Sequence, residues 1–296
     1  MRSSRNSCSP QRNLDRSQTD DPKRDIGHRT NQLFVIGIGP GSQDHLTKRA
    51  VDVLTSVDVV AGYKTYIELI RPLIEGKEII STGMTQEVKR VEAALENAQA
   101  GKSCAIVSSG DPGIYAMAGL VFETCKIKDI PIVRPACRGD GPADQKVLTV
   151  EIIAGIPALS AGAALLGAPL THDFAAISLS DLLTPWELIE KRIDAAAEAD
   201  FVIVLYNPKS KKRSWQLERA QHIILKHRSK STPVGIVVSA MRQNQNIEIV
   251  PLEKLHEAYV DMQTTVFIGS STSSRYSDFM FTPRGYSKKY KICQDP

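Results

Sequence analysis

No stretch of this 296-residue chain approaches the about 20 consecutive apolar residues that a bilayer-spanning helix needs, so a helical membrane protein is excluded. Its five cysteines, Cys8, Cys104, Cys125, Cys137 and Cys293, form no Cys-x-x-Cys pair and match no Cys/His zinc spacing. That argues against a disulfide framework and suits a reducing compartment. Cys104 lies inside an apolar run and reads as a buried free thiol. There is no internal repeat of fixed period, and no G-x-x-x-x-G-K-[ST] string to form a P-loop.

An excess of one charge is also missing from the body of the chain. The net charge is +4, but residues 1–32 carry 7 Lys and Arg against 4 Asp and Glu, and residues 284–296 carry 4 against 1. Residues 33–283 hold 26 basic and 28 acidic side chains, so no nucleic-acid partner is expected. Residues 1–32 have almost no apolar side chains and read as a disordered tail. They lack the apolar segment of a secretory signal, and Asp15, Asp20, Asp21 and Asp25 argue against an organelle transit peptide. The expected location is the cytoplasm.

What is present is an ordinary globular composition, 42% hydrophobic and 24% charged, over a length that suits about two domains. LFVIGI (33–38), DVVAG (58–62) and CAIVSS (104–109) read as short buried strands. Helices are expected at 44–55, where Leu46, Ala50, Val53 and Leu54 share a face, and at 85–101, where Val88, Val91 and Leu95 do. This alternation argues for an α/β domain with a mainly parallel sheet. Residues 131–146, with Pro131, Pro135, Gly139, Gly141 and Pro142 amid charges, read as an irregular insertion. A second domain then follows, with strands at 148–154, 174–179, 201–206, 234–239 and 264–269 and helices near 158–168, 185–198 and 211–228. Thr184 is the expected N-cap of the helix at 185, with Pro185 at its first position and Glu187 completing a capping box. The expected domains are thus 33–146 and 147–286, with a basic tail at 287–296.

Two loops carry the functional signal. GIGPGS (37–42) follows a strand and precedes a helix, but Ser42 stands where a dinucleotide fingerprint needs its third glycine. The second strand also ends without the acid that would hold a ribose, so nicotinamide binding is disfavoured and a structural turn is the alternative. SSGDPGIY (108–115) is a second strand-to-glycine turn. In open α/β sheets ligands bind beyond the carboxyl ends of strands, and the two loops are placed to flank one crevice. Asp111 supplies a fixed acceptor there.

GxGPGxxxxLT (37–47) followed by SGDPxIY (109–115) resembles the tetrapyrrole methylases, which use S-adenosylmethionine (SAM) to methylate uroporphyrinogen-derived rings. The resemblance continues through IIAGIPALSAGAALLGAPL (152–170), LYNPKSKKR (205–213) and TPVGIVVSAMR (232–242) and covers roughly 33–286. Within that family, HDFAAISLSDLLTPWE (172–187), YNPKSKKR and FTPRGY (281–286) resemble the corrin branch that methylates C17 of precorrin-3B or cobalt-factor III, with contraction of the macrocycle. The alternatives are another ring position, C11 or C20, an RNA- or protein-modifying cousin, and a non-catalytic SAM- or tetrapyrrole-binding regulator.

The resemblance implies two α/β domains with a deep cleft between them, a homodimer, and SAM held in the cleft. Carried over residue by residue, Pro40 borders the SAM site and Gly39 faces the substrate. Ser109, Gly110 and Asp111 line the site, with Ile114 beyond. Pro157, Ala158, Tyr206, and Thr264 or Thr265 complete the SAM contacts. Many relatives have Pro-Gly where this chain has Ala154-Gly155.

Methyl transfer from a sulfonium is an in-line displacement in which the protein supplies orientation and electrostatics. No protein-bound metal or Fe–S cluster is therefore expected. A base to assist ring contraction would come from Asp111, His172 or Asp173. Asp111 can equally hold backbone or SAM groups, and His172-Asp173 can equally turn the chain before the strand at 174–179. The anionic tetrapyrrole calls for cations, here Lys209, Lys211, Lys212, Arg213, Arg242, Arg275 and Arg284. The Lys211–Arg213 run also reads as a solvated helix start. Arg242, ending an apolar strand, is expected to bind the substrate, so that Arg242→Ala weakens substrate binding and leaves SAM binding intact.

Overall fold

The apolar run at 33–38 folds as the central strand β1 (Gln32–Gly37), in which every residue after Gln32 is buried. The computed structural model describes residues 31–135, 147–210 and 213–290. Most of the expected disordered tail, most of the 131–146 insertion, Lys211, Lys212 and residues 291–296 lie outside the described residues.

The chain divides into two units. In the first, β1 is followed by α1 (Lys48–Ser56), β2 (Val59–Tyr63), α2 (Lys64–Leu69), β3 (Glu78–Thr82), α3 (Glu87–Gln99), β4 (Ser103–Ser108), α4 (Met117–Ile127), β5 (Ile132–Val133) and β6 (Leu148–Ile153). The strands form one sheet in the order β3-β2-β4-β1-β6-β5, with every pairing parallel. Helix α1 starts later than its pattern suggests. Thr47 is the N-cap, accepting a hydrogen bond from the Ala50 N–H, and a separate short turn occupies Gln43–His45. Helix α3 buries Val91, Ala94, Leu95 and Ala98, but Val88 is exposed because the packed stripe begins one turn beyond it. The core joins these residues to Leu33, Val35, Val59, Ala61, Cys104, Ile106 and Val150.

Strand β6 was expected to open the second domain. It instead pairs in register with β1, Val35 opposite Ile152, and completes the first sheet. The segment 131–146 is also not wholly irregular, since Ile132–Val133 pairs with β6.

The second unit holds α5 (Ala158–Leu166), β7 (Gly167–Ala168), β8 (Phe174–Ser178), α6 (Trp186–Glu198), β9 (Val202–Tyr206), α7 (Gln216–Ile224), β10 (Pro233–Val238), β11 (Asn246–Pro251), β12 (Thr264–Ile268), β13 (Ser274–Tyr276), β14 (Phe279–Phe281) and α8 (Tyr286–Lys289). Its main sheet runs β11-β10-β12-β9-β8, with only β8 and β9 parallel. A small sheet, β13-β14-β7, lies apart from it in the hydrogen-bond pattern. The expected capping box at α6 does not form: Pro185 is itself the N-cap residue, in extended conformation, and no side chain caps the helix. Its carbonyl accepts the N–H groups of Leu188 and Ile189 and closes the first turn. No helix among the described residues is long and apolar enough to cross a membrane.

Candidate active site

The chain leaves β1 toward β2 on one side of the first sheet, and leaves β4 toward β5 on the other. These adjacent strands therefore mark a topological switch point, the usual place for a ligand in such a sheet. The two loops that follow, Ile38–Leu46 and Ser109–Tyr115, group with the second unit together with everything from Gly155 onward.

The loops are bonded to each other. Gly39 N–H donates to Gly110 O at 3.2 Å, and Gly110 N–H returns the bond to Gly39 O at 2.7 Å. Both glycines are left-handed, with φ of 69° and 68°, a conformation that costs an L side chain about 1–2 kcal/mol. Asp111 then secures the second loop. Its Oδ1 accepts the Gly113 N–H at 2.8 Å, and its Oδ2 accepts the Gly155 N–H at 3.2 Å. The Ala154-Gly155 step, where this chain departs from the common pattern, thus keeps an N–H that the carboxylate uses. Ile114 closes the turn by donating to Asp111 O at 3.3 Å.

The next segment enters α5 with Pro157 as N-cap residue and Ala158 as first helical residue. Tyr206, at the end of β9, accepts the Leu159 N–H on its hydroxyl at 2.9 Å. Burial pushes the Tyr206 phenol up to about 12. Its ring lies 5.1 Å from that of Tyr115, whose hydroxyl donates to Ala176 O at 2.8 Å. Arg242 follows β10 and donates to Pro40 O, Ser109 Oγ and Gln263 Oε1. Thr264 and Thr265 are buried at the start of β12, and the Thr264 hydroxyl donates to Asp261 Oδ1 at 2.9 Å.

Backbone strain gathers around these loops. Tyr115, Asn207, Ser239 and Met241 are all left-handed, with φ between 50° and 58°. Such residues cost on the order of 1–3 kcal/mol each and persist where their surroundings over-determine them, commonly at functional sites. Sequence reasoning gave no role to Tyr115 or Gln263. Tyr115 stands inside the quoted SGDPxIY string, which was the available signal, whereas nothing local marks Gln263.

Other expected residues lie apart. His172 and Asp173 precede β8 and are exposed, and His172 Nδ1 accepts the Asp173 N–H. The Asp173 carbonyl pairs with Val202, at the opposite end of β9 from Tyr206. A five-residue strand separates the two by about 15 Å, so the structure does not bring this pair to the glycine loops. Arg213 is buried and turned inward, its Nε donating to Asn207 O at 3.1 Å. Lys209 is exposed on the loop after β9. Arg284 is exposed and reaches Thr171 O at 3.4 Å, and Arg275 braces Ser277 O and Ile249 O.

Known proteins bear on this arrangement. The family described as tetrapyrrole (corrin/porphyrin) methylases matches residues 32–256. The chain is 49% identical over 263 residues to a "Cobalt-factor III methyltransferase" of Priestia megaterium, covering 89% of this chain but 46% of that protein. It thus spans about half the length of that relative. It is 46% identical over 255 residues to a "Probable cobalt-factor III C(17)-methyltransferase" of Salmonella typhimurium, covering 86% of this chain and 99% of the relative. Among solved structures, that of the methyltransferase CobJ matches with a TM-score of 0.75 at 34% identity, over 86% of this chain and all of the other.

Proposed function

The chain belongs to the tetrapyrrole methylases, and from that membership we propose that it transfers the methyl group of SAM to C17 of cobalt-factor III, with contraction of the macrocycle. The observation that carries the reading is the Gly39–Gly110 bridge, with Asp111 tying the second of its loops to Gly155, built from the very segments that bear the family's motifs. Both relatives described above bear names that state cobalt-factor III. On the same reading the protein works as a homodimer in the cytoplasm.

The residues around the paired loops suit such a donor. A Cβ at Gly110 would lie 3.5 Å from Pro157 Cα, so bare main chain there leaves room beside the start of α5. Asp111 adds a negative charge held in place by two main-chain N–H groups, which complements a cationic ligand without reorganisation. When bound, SAM supplies a methyl group on a positively charged sulfonium. The chain's part is orientation, the main contribution a protein makes to an in-line displacement. Asp111 fixes the second glycine loop against Gly155, and Tyr206 fixes the start of α5 through the Leu159 N–H. Pro40, Ser109, Ile114, Pro157 and Ala158 border the donor, with Thr264 and Thr265 toward its adenine. Gly39 faces the acceptor ring, and the exposed Lys209 and Arg284 meet its carboxylates.

The test is anaerobic incubation of the purified protein with SAM and, separately, cobalt-factor III and precorrin-3B. Gain of one methyl by mass, with the absorption change of a contracted ring, is expected with cobalt-factor III. Turnover of precorrin-3B alone would move the assignment to the cobalt-free substrate. Binding of SAM with no methyl transfer to either would remove the C17 reading.

A further inference from the structure

Arg242 was read from the sequence as a cation for the substrate, but its guanidinium is committed elsewhere. Nε donates to Pro40 O at 2.7 Å, Nη2 to Ser109 Oγ at 3.2 Å and Nη1 to Gln263 Oε1 at 3.2 Å. Pro40 belongs to the loop after β1, Ser109 to the loop after β4, and Gln263 directly precedes β12. One planar fork, rising from the turn after β10, therefore spans three other loops.

The surroundings are shaped to let it do so. Gly41 has φ of 145°, and a Cβ on it would come within 2.6 Å of Arg242 Nε and 2.7 Å of Cγ. The arginine stem crosses this glycine because no side chain stands there. The turn that launches it is strained and pinned: Ser239 and Met241 are left-handed, with φ of 50° and 58°. Ser239 Oγ donates to the same Gln263 Oε1 at 2.8 Å, and the Met241 N–H donates to Gln245 Oε1 at 2.8 Å. An arginine meant to meet a diffusing carboxylate needs none of this pre-arrangement toward neutral acceptors on its own chain.

We propose that Arg242 is a positioning residue for the methyl donor: it clasps the two glycine loops in the register that receives SAM, and it does not bind the carboxylates of the tetrapyrrole. The proposal rests on the SAM-dependent reading above. Arginine is needed because its donors diverge in one rigid plane and engage several acceptors at once, whereas a lysine ammonium is a single point on a flexible stem. Lysine would keep the charge and lose the clasp.

The test compares the wild type with R242K by equilibrium binding of S-adenosylhomocysteine, by steady-state KM for SAM and for cobalt-factor III, and by Tm. The expected result for R242K is an affinity for S-adenosylhomocysteine reduced about tenfold, the scale of one lost hydrogen bond to a charged group. KM for SAM should rise in parallel. KM for cobalt-factor III should stay within about twofold, and kcat at saturating SAM should be largely retained, as for an interaction that serves binding and not the chemical step. A raised KM for cobalt-factor III with unchanged S-adenosylhomocysteine affinity would overturn the proposal and restore Arg242 to the substrate. Equal weakening of both ligands would also overturn it.

Should R242K fold poorly, Gly41→Ala pushes the same side chain off Pro40 and should give the same selective loss. Its penalty should shrink in a Gly41→Ala/Arg242→Ala double variant, where the clash is gone, and additive penalties would count against the clasp. A wild type that fails to bind S-adenosylhomocysteine at all would sink the SAM reading itself. A wild type that binds it, beside an R242K that binds equally well, would sink only the clasp.

Discussion

In the first unit every strand pairing is parallel and the central strands β1 and β4 are buried along almost their whole length. In the second, three of the four pairings of the main sheet are antiparallel. Its edge strand β11 is exposed over its first half. The two also differ in strain. Among the described residues, the left-handed ones other than glycine in the first unit are Asn31, Thr85 and Asp129. Tyr115, Asp200, Asn207, Ser239, Met241 and Ser277 fall in the second, four of them beside the candidate site. A sheet covered on both faces is stable but uniform. The mixed sheet ends in turns of several kinds, each able to present a different group. Tyr206 ends β9 and Arg242 follows β10 of the mixed sheet, whereas Asp111 follows β4 of the parallel one, and the hydrogen-bond partners named for all three lie in the second unit.

The comparison can be broken at its strongest point, the separate cores. Phe267 on β12 is fully buried and packs against Gly162 of α5, whose added Cβ would meet the ring at 2.6 Å. Ile106 on β4 is equally buried in the first unit. Phe267→Ala should cost about 3–5 kcal/mol and Ile106→Ala about 2–5 kcal/mol. Both tryptophans, Trp186 and Trp215, stand in the second unit, and the buried thiols of Cys104 and Cys125 stand in the first. Tryptophan fluorescence in urea therefore reports one unit, and thiol labelling reports the other once Cys8, Cys137 and Cys293 are replaced by serine. Each core variant should shift its own probe more than the other. If both probes move together in both variants, the units unfold as one cooperative body and the contrast is lost.

Next in size is Asp111→Asn. Both carboxylate oxygens accept main-chain N–H groups, from Gly113 and Gly155. An amide accepts on one side only and turns its own donors toward the other N–H. The mismatch should cost about 1–3 kcal/mol and appear as about 5- to 150-fold weaker S-adenosylhomocysteine binding, with a small change in Tm. Full affinity and full turnover in this variant would show that Asp111 neither shapes the site nor serves as its base.

Much of this was legible in the residues, and the rest has a physical reason for its silence. The runs that became β1, β4, β9, β10 and β12 are apolar enough to read as buried strands, and the two glycine turns announced themselves. Strand β3 did not, because EIIST lies at a sheet edge and its burial is partial. Helix α4 did not, because MAGLVFETCKI is apolar around much of its circumference and shows no clear stripe. The placement of β6 is a matter of long-range pairing: the Gly/Pro-rich segment before it suggests a boundary, yet the strand pairs with β1, well over a hundred residues earlier. Arg242 is the sharpest case. Its position at the end of an apolar strand was visible, but its nearest acceptor, Pro40 O, is 202 residues away in sequence. No local pattern reveals which of many carbonyls an arginine will meet.

The smallest expected effect tests whether strain and burial at the site are paid back in rigidity. Tyr206→Phe removes the hydroxyl that accepts the Leu159 N–H and should cost about 1 kcal/mol, with the ring contact to Tyr115 retained. The same variant has a pH signature. In the wild type, burial holds the Tyr206 phenol at about 12, above the value of about 10 for a free tyrosine. A group whose pKa is raised by folding contributes its stability fully below the unfolded value and loses it as pH rises through the folded one. Wild-type stability should therefore carry a component that falls between about pH 10 and 12, and Tyr206→Phe should lack that component while being slightly less stable at neutral pH. Urea midpoints at pH 8 and pH 11 decide it. If the gap between wild type and variant is the same at both, burial does not raise the Tyr206 phenol, and if there is no gap at pH 8 its hydroxyl does not hold the start of α5.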